Sequence, residues 1–273
     1  MPTINDNGTE IWYEVTGSGQ PLVLTGGFGL LHNQWDFVRE LLAARYQVID
    51  WNYRGAGRSD RAWPGGSFSQ DTWVDDLEIV LNELNIDSAV LWGTSTGSPI
   101  SIRYTAKYPH RVRALVTYPM FKADAGFRNA FEGFRLIGET FGYDALACLT
   151  SWIGCAEPNV FNTRQGEIAK WEAACFAQNF SLSTLAETMR IVATNDFTTD
   201  VAKIKCPTLL LMGESGHLGY GEQGNRNLAN EFLALAPHAT LELIAEGGGT
   251  YCMIEEPETT AQAIIDFIDA LEC

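Results

Sequence analysis

Ala89-Val90-Leu91-Trp92-Gly93-Thr94-Ser95-Thr96-Gly97-Ser98-Pro99-Ile100 reads as a short apolar strand, a Gly-Thr-Ser-Thr-Gly turn and a helix running on through Ile102, Tyr104 and Ala106. A side chain can stand exposed at the apex of so sharp a strand-to-helix turn only if its neighbours are small. Gly93 and Gly97 let the two backbones pass closely, and the turn holds Ser95 in a strained conformation. The helix start then aims its free N–H groups at whatever lies beside the Ser95 hydroxyl. A plain glycine-rich turn is the bland alternative. The strand before it and the helix after it favour a serine nucleophile.

Working outward, Gly8 to Thr16 alternates as a strand and leads to the turn Gly17-Ser18-Gly19. Pro21-Leu22-Val23-Leu24-Thr25 is a continuous apolar run, as expected of a strand buried on both faces of a parallel sheet. Gly26-Gly27-Phe28-Gly29 follows, then an amphipathic segment from Asn33 to Ala44, then the strand Tyr46–Trp51. A glycine-punctuated loop, Asn52 to Asp60, precedes a helix over Ser69–Leu84, with Val74, Leu77, Val80, Leu81 and Leu84 at helical spacing. Strands alternating with helices at this rhythm predict an α/β fold, a mostly parallel twisted sheet with helices on both faces.

The composition narrows the partners. Eighteen basic against thirty-four acidic residues give a formal charge of −16 over 273 residues. A nucleic-acid partner needs a basic surface and is not expected. No apolar run approaches the ~18 residues of a membrane span, and Met1–Asp6 carries neither a basic nor an apolar leader segment. Six cysteines, at 148, 155, 175, 206, 252 and 273, show no metal-type spacing and read as reduced thiols. The expectation is a cytoplasmic protein with no cofactor and no metal, taking a small apolar molecule as substrate or ligand.

Together these motifs resemble the α/β-hydrolase superfamily, and its lactonase and enol-lactonase branch most. They run in the family's order: Leu22-Val23-Leu24-x-Gly26-Gly27-Phe28-Gly29, then Arg54-Gly55-x-Gly57-Arg58-Ser59, the elbow, Tyr108-Pro109-His110-Arg111-Val112, Cys206 to Glu214, and Glu255-Glu256-Pro257. The resemblance implies a hydrolase core of residues 1–120 and 206–273, with residues 121–205 as an inserted helical cap over Ser95. Cap aromatics Phe127, Phe131, Phe134, Phe141, Trp152, Trp171 and Phe176 then line an apolar pocket or form the cap's own core. It also implies an oxyanion hole made by the backbone N–H groups of Phe28 and Thr96.

The chemistry departs from the family pattern. A serine hydroxyl needs a base to take its proton and a third group to orient that base. The family's usual acid position falls here on Gly216 and its usual histidine position on Thr250, neither of which can exchange a proton at neutral pH. Of four histidines, His110 and His238 read as surface turns. His217 follows the vacated acid position and His32 lies just past the oxyanion loop, so these two are the candidate relocated bases; otherwise each is a loop histidine. Glu214, Asp124 and Glu246 are the nearest carboxylates by topology, each with a solvated-charge reading beside the catalytic one. Trp35, Tyr118, Met120, Trp152, Thr250 and Tyr251 are pocket candidates that could equally be ordinary core.

Three functions fit this pattern. One is hydrolysis of a small apolar ester, lactone or carbon–carbon bond at Ser95 with a non-standard base. The second is triad-independent lyase, cyclase or decarboxylase chemistry using the pocket and oxyanion hole. The third is non-catalytic ligand binding on the same scaffold.

Overall fold

The computed structural model describes residues 2–61, 69–154, 164–215 and 221–271; the side chains of 152–154, 164–166, 215 and 221–225 are outside this description. The candidates Gly216 and His217, and the side chain of Trp152, therefore lie outside the described residues.

Among the described residues eight strands form one sheet, in the order β1-β2-β4-β3-β5-β6-β7-β8. They are β1 (Thr3–Asp6), β2 (Thr9–Thr16), β3 (Gln20–Thr25), β4 (Tyr46–Trp51), β5 (Ala89–Gly93), β6 (Val112–Thr117), β7 (Thr208–Ser215) and β8 (Thr240–Gly248). β1 and β2 are antiparallel additions at one edge, and the rest of the sheet is parallel. In the parallel strands successive residues face opposite sides. Val23, Ile49, Leu91 and Leu115 enter one apolar cluster, while Leu22, Leu24, Val48, Val90, Trp92 and Val116 enter the other. Helices α2 (Gln70–Glu83), α3 (Gly97–Lys107) and α9 (Gly221–Leu235) contribute to the first cluster; α1 (Arg39–Ala43) and α11 (Pro257–Ala270) contribute to the second. Both faces of the sheet are thereby covered, which is what continuous apolar strands require.

Two details refine the sequence reading. The amphipathic segment Asn33–Ala44 is built as a 3-10 turn, Leu31–Trp35, followed by α1. Trp35, Val38 and Leu42 are all fully buried in the second cluster, so the apolar spacing is met by two short turns. The edge strand β1 carries no apolar alternation; it is held by the hairpin turn at Asn7 and Gly8, both at positive φ (51° and 90°).

Between β6 and β7 lie α4 (Ala125–Phe141), α5 (Tyr143–Gly154), α6 (Arg164–Asn179), α7 (Leu182–Val192) and α8 (Thr198–Val201). Asp124 caps α4 by accepting the Phe127 N–H at 2.7 Å, and Ser181 and Thr184 form a capping box at the start of α7. The entry and exit of this segment are tied together at its neck. Ala123 donates to the Asn195 carbonyl and Phe197 to the Phe121 carbonyl, both at 2.8 Å. Short α10 (Cys252–Glu255) follows β8. No described helix is long and apolar enough to cross a membrane.

Candidate functional site

Ser95 sits at the junction of β5 and α3 with φ of 50°, a left-handed conformation that costs a non-glycine residue about 1–2 kcal/mol. Its neighbours make that turn possible. A Cβ on Gly93 would lie 2.5 Å from the Gly97 carbonyl oxygen, and one on Gly97 would collide with the Thr25 carbonyl. The turn is closed by Gly97 N–H donating to the Thr94 carbonyl at 2.7 Å and by Ser98 Oγ donating to the Gly93 carbonyl at 3.0 Å. Thr94 and Thr96 are buried, whereas Ser95 is part-exposed.

The loop after β3 packs directly on this elbow. A Cβ on Gly27 would stand 2.8 Å from the Ser95 Cβ, so only glycine lets the loop approach. Gln34 bridges the two: its Oε1 accepts the Gly27 N–H at 3.1 Å and its Nε2 donates to Thr94 Oγ1 at 2.9 Å. Asn179, at the end of α6, holds the same loop from above, donating through Nδ2 to the carbonyls of Gly29 (2.9 Å) and Leu30 (3.0 Å). The backbone N–H groups of Phe28 and Thr96 have no acceptor among the described residues.

The cavity beside Ser95 measures about 570 Å³ including its mouth. The core supplies Gly27, Phe28, Gln34, Met120, Thr250 and Tyr251; the β6–β7 segment supplies Phe131, Phe134, Thr150 and Glu172. Phe28 forms an aromatic seam with that segment, its ring centroid 6.4 Å from Phe131, 5.3 Å from Phe176 and 5.7 Å from Phe180. Of the other aromatics there, Trp171 packs edge-on against Phe37, and Phe141 is 72% exposed.

Several sequence candidates are placed elsewhere. His32 is buried with its ring 5.1 Å from Trp12, on the β2 side of the loop, and does not line the cavity. Burial, with the Arg58 and Arg39 charges nearby, pushes its pKa down to about 3, so it is a neutral ring with little affinity for a proton. Trp35 packs against Trp92 in the second apolar cluster, ring centroids 4.5 Å apart and planes tilted by 54°, and Tyr118 is core; neither lines the cavity. Asp124 is spent capping α4, Glu214 is exposed and 3.4 Å from Arg226, and Glu246 is exposed at φ of 60°. His110 is exposed, and exposed His238 meets the Cys206 carbonyl at 3.1 Å. Arg54 is structural, paired with Asp6 (2.7 Å) and Asp76, while the Arg58 guanidinium lies 4.7 Å over the Trp12 ring. Among the described residues no group of three or more His, Cys, Asp or Glu is arranged to hold a metal ion.

Several residues of the cavity, Gln34, Thr150 and Glu172 among them, were not found from the sequence. Glu172 of α6 is fully buried, accepts from Thr150 Oγ1 at 2.8 Å, and also accepts from the hydroxyls of Ser151 and Tyr251. Burial, with no cationic partner among the described residues, raises its carboxyl to about 7, against the lowering effect of the three hydroxyl donors. Glu172 falls on the same helical stripe as Ile168, Cys175 and Asn179, and that position on a buried face was the available signal.

Residues 21–249 match the family model described as alpha/beta hydrolase fold. A non-heme haloperoxidase of Rhodococcus erythropolis is 30% identical over 234 residues, 80% of this chain and 83% of that protein. A cis-3-alkyl-4-alkyloxetan-2-one decarboxylase of Shewanella oneidensis is 26% identical over 236 residues, 77% of this chain and 71% of that protein. With three further curated relatives the chain spans under half of their length, at 37%, 36% and 49%. The crystal structure of the enol-lactonase from Burkholderia xenovorans LB400 superposes with a TM-score of 0.80 at 18% identity, covering 98% of this chain and 100% of that one.

Proposed function

From the premise that this chain belongs to the α/β-hydrolase-fold family, we propose that it is an enzyme that cleaves a small, largely apolar ester or lactone at Ser95 without the family's histidine. The substrate carbonyl oxygen rests on the N–H groups of Phe28 and Thr96, and the carbonyl carbon lies above the Ser95 hydroxyl. The phenylalanines of α4 enclose the apolar remainder, so residues 121–205 act as the cap. The observation that supports this reading is a left-handed serine and an apolar roof meeting on one cavity, with Phe28 and Thr250 on its wall, beside Phe28 and Thr96 N–H groups that have no acceptor among the described residues.

The test is labelling of the protein with a fluorophosphonate, which reacts quickly only with an activated serine, alongside turnover of p-nitrophenyl butyrate and dihydrocoumarin. The reading expects label on Ser95, turnover above background, and loss of both in Ser95→Ala. Gly27→Ala should suppress turnover while leaving the fold intact, because its methyl would press on the Ser95 side chain at 2.8 Å. A wild-type protein inert to the label and to both substrates would overturn it.

The buried Thr250 on the cavity wall favours a second reading, lyase, cyclase or decarboxylase chemistry by carbonyl polarisation and positioning alone. Decarboxylation of a β-lactone or β-keto acid that persists in Ser95→Ala would select it.

A further inference from the structure

Glu172 combines three properties that a structural carboxylate does not need together. It is completely buried, it lines the cavity that holds Ser95, and its nearest partners are hydroxyls rather than a cation. A buried carboxylate kept only to join helices is ordinarily paired with a base or replaced by an amide, because an isolated buried charge is costly. Here one oxygen takes the Thr150 and Tyr251 hydroxyls and the other takes the Ser151 hydroxyl. Hydroxyls can donate to the carboxylate and, by rotating, accept from the carboxylic acid, so the same shell serves both protonation states. Tyr251 supplies the link to the core. It lines the same cavity from the loop between β8 and α10, one residue past Thr250, and its hydroxyl reaches across to α6.

We propose that Glu172 and Tyr251 together are the acid–base catalyst of this pocket, taking the proton of the attacking oxygen and returning it to the leaving oxygen. This rests on the ester or lactone cleavage proposed above. In acylation the bond from Ser95 Oγ to the acyl carbon forms and the substrate's carbonyl-carbon–oxygen bond breaks. The Oγ proton passes to the Tyr251 oxygen as the Tyr251 proton passes to Glu172; both moves reverse to protonate the leaving oxygen. Water repeats the cycle on the acyl-serine: one of its protons passes through Tyr251 and Glu172 to Ser95 Oγ, and the other leaves on the product carboxylic acid. Glu172 ends the cycle as the carboxylate it began as, so the charge of the pocket is unchanged.

The groups around this pair decide what its pH dependence can mean. Thr150 and Ser151 from α5 do not titrate in the working range. Cys175, on α6 itself, has its thiol pushed up to about 12, by burial first and then by the Asp36 and Glu172 charges. No Lys, Arg or His forms an ion pair with Glu172 among the described residues. An ionisation near neutrality in the pocket is therefore assigned to Glu172.

The experiment is steady-state turnover of p-nitrophenyl butyrate from pH 5 to 9 for the wild type, Glu172→Gln, Tyr251→Phe and Ser95→Ala, each checked for its melting transition. The wild-type kcat should rise with pH through one ionisation near 7. Glu172→Gln should lower kcat by about 10²–10⁴-fold and abolish that rise, with KM nearly unchanged. Tyr251→Phe, which removes one hydroxyl and keeps the carboxyl, should lower kcat at least ~10-fold while the rise persists. Should Glu172→Gln not fold, Tyr251→Phe and the wild-type profile still decide the question. Turnover that vanishes in Ser95→Ala but keeps its rate and pH profile in Glu172→Gln, or its rate in Tyr251→Phe, overturns the assignment and leaves the serine reading standing. A wild type with no turnover overturns the serine reading itself.

Discussion

The backbone of Ser95 makes a prediction that needs no substrate. At φ of 50° a side chain with a Cβ is strained, and glycine is not. Ser95→Ala and Ser95→Gly both delete the hydroxyl, so their difference isolates the backbone. The left-handed conformation costs alanine about 1–2 kcal/mol, and glycine gives back about 0.4–1 kcal/mol through the extra freedom of its unfolded chain. Ser95→Gly should therefore be more stable than Ser95→Ala by roughly 0.5–1 kcal/mol, a rise of about 1–4 °C in melting temperature for a chain of this size. The same exchange in the body of α4, at exposed Ala130, should run the other way: Ala130→Gly should cost about 1 kcal/mol. Urea titration of the three variants and the wild type at one pH measures both differences. A glycine at 95 that is less stable than alanine would show that the elbow is relaxed, and the argument from strain would fail.

Three further outcomes follow from the geometry. Gly97→Ala drives a methyl into the Thr25 carbonyl and to within 2.9 Å of the Gly26 carbonyl, so it should cost at least ~3 kcal/mol by urea titration, where an ordinary surface substitution costs under ~0.5. Asn179→Ala leaves the Gly29 and Leu30 carbonyls without that donor; it should cost about 1–3 kcal/mol and lower turnover by loosening the loop that carries Phe28. Glu172, raised in the folded state from 4.5 to about 7, contributes stability that is complete below the lower value and is lost as pH rises through the higher. Between pH 4.5 and 8 the wild type should therefore lose on the order of 3 kcal/mol more than Glu172→Gln, and parallel curves for the two proteins would refute it.

How far the sequence reached depends on what each signal encodes. Buried parallel strands announce themselves, because Leu22-Val23-Leu24 and Ala89 to Gly93 must be apolar on both faces. The elbow was equally legible, since only small residues fit where Gly93 and Gly97 stand. β1 was not, because its residues are part-exposed and its register comes from the Asn7-Gly8 turn rather than from a hydrophobic pattern. At the site, chain order placed Phe28, Met120, Thr250 and Tyr251 beside the cavity but misjudged His32, Trp35 and Tyr118. Sequence proximity to a loop says nothing about which side of it a ring takes, and His32 turns toward Trp12. Glu172, Asn179 and Gln34 escaped because their partners are 79, 150 and 60 residues away in the chain, contacts that no local pattern carries.

The central claim is that Ser95 is activated without a histidine, and the most direct measurement is the rate of fluorophosphonate labelling at Ser95 in single-site variants. The account predicts labelling at the wild-type rate in His217→Ala and His32→Gln, and labelling slowed by about 10²-fold or more in Glu172→Gln. Labelling that collapses in His217→Ala and survives in Glu172→Gln would contradict it, and would make that histidine the base.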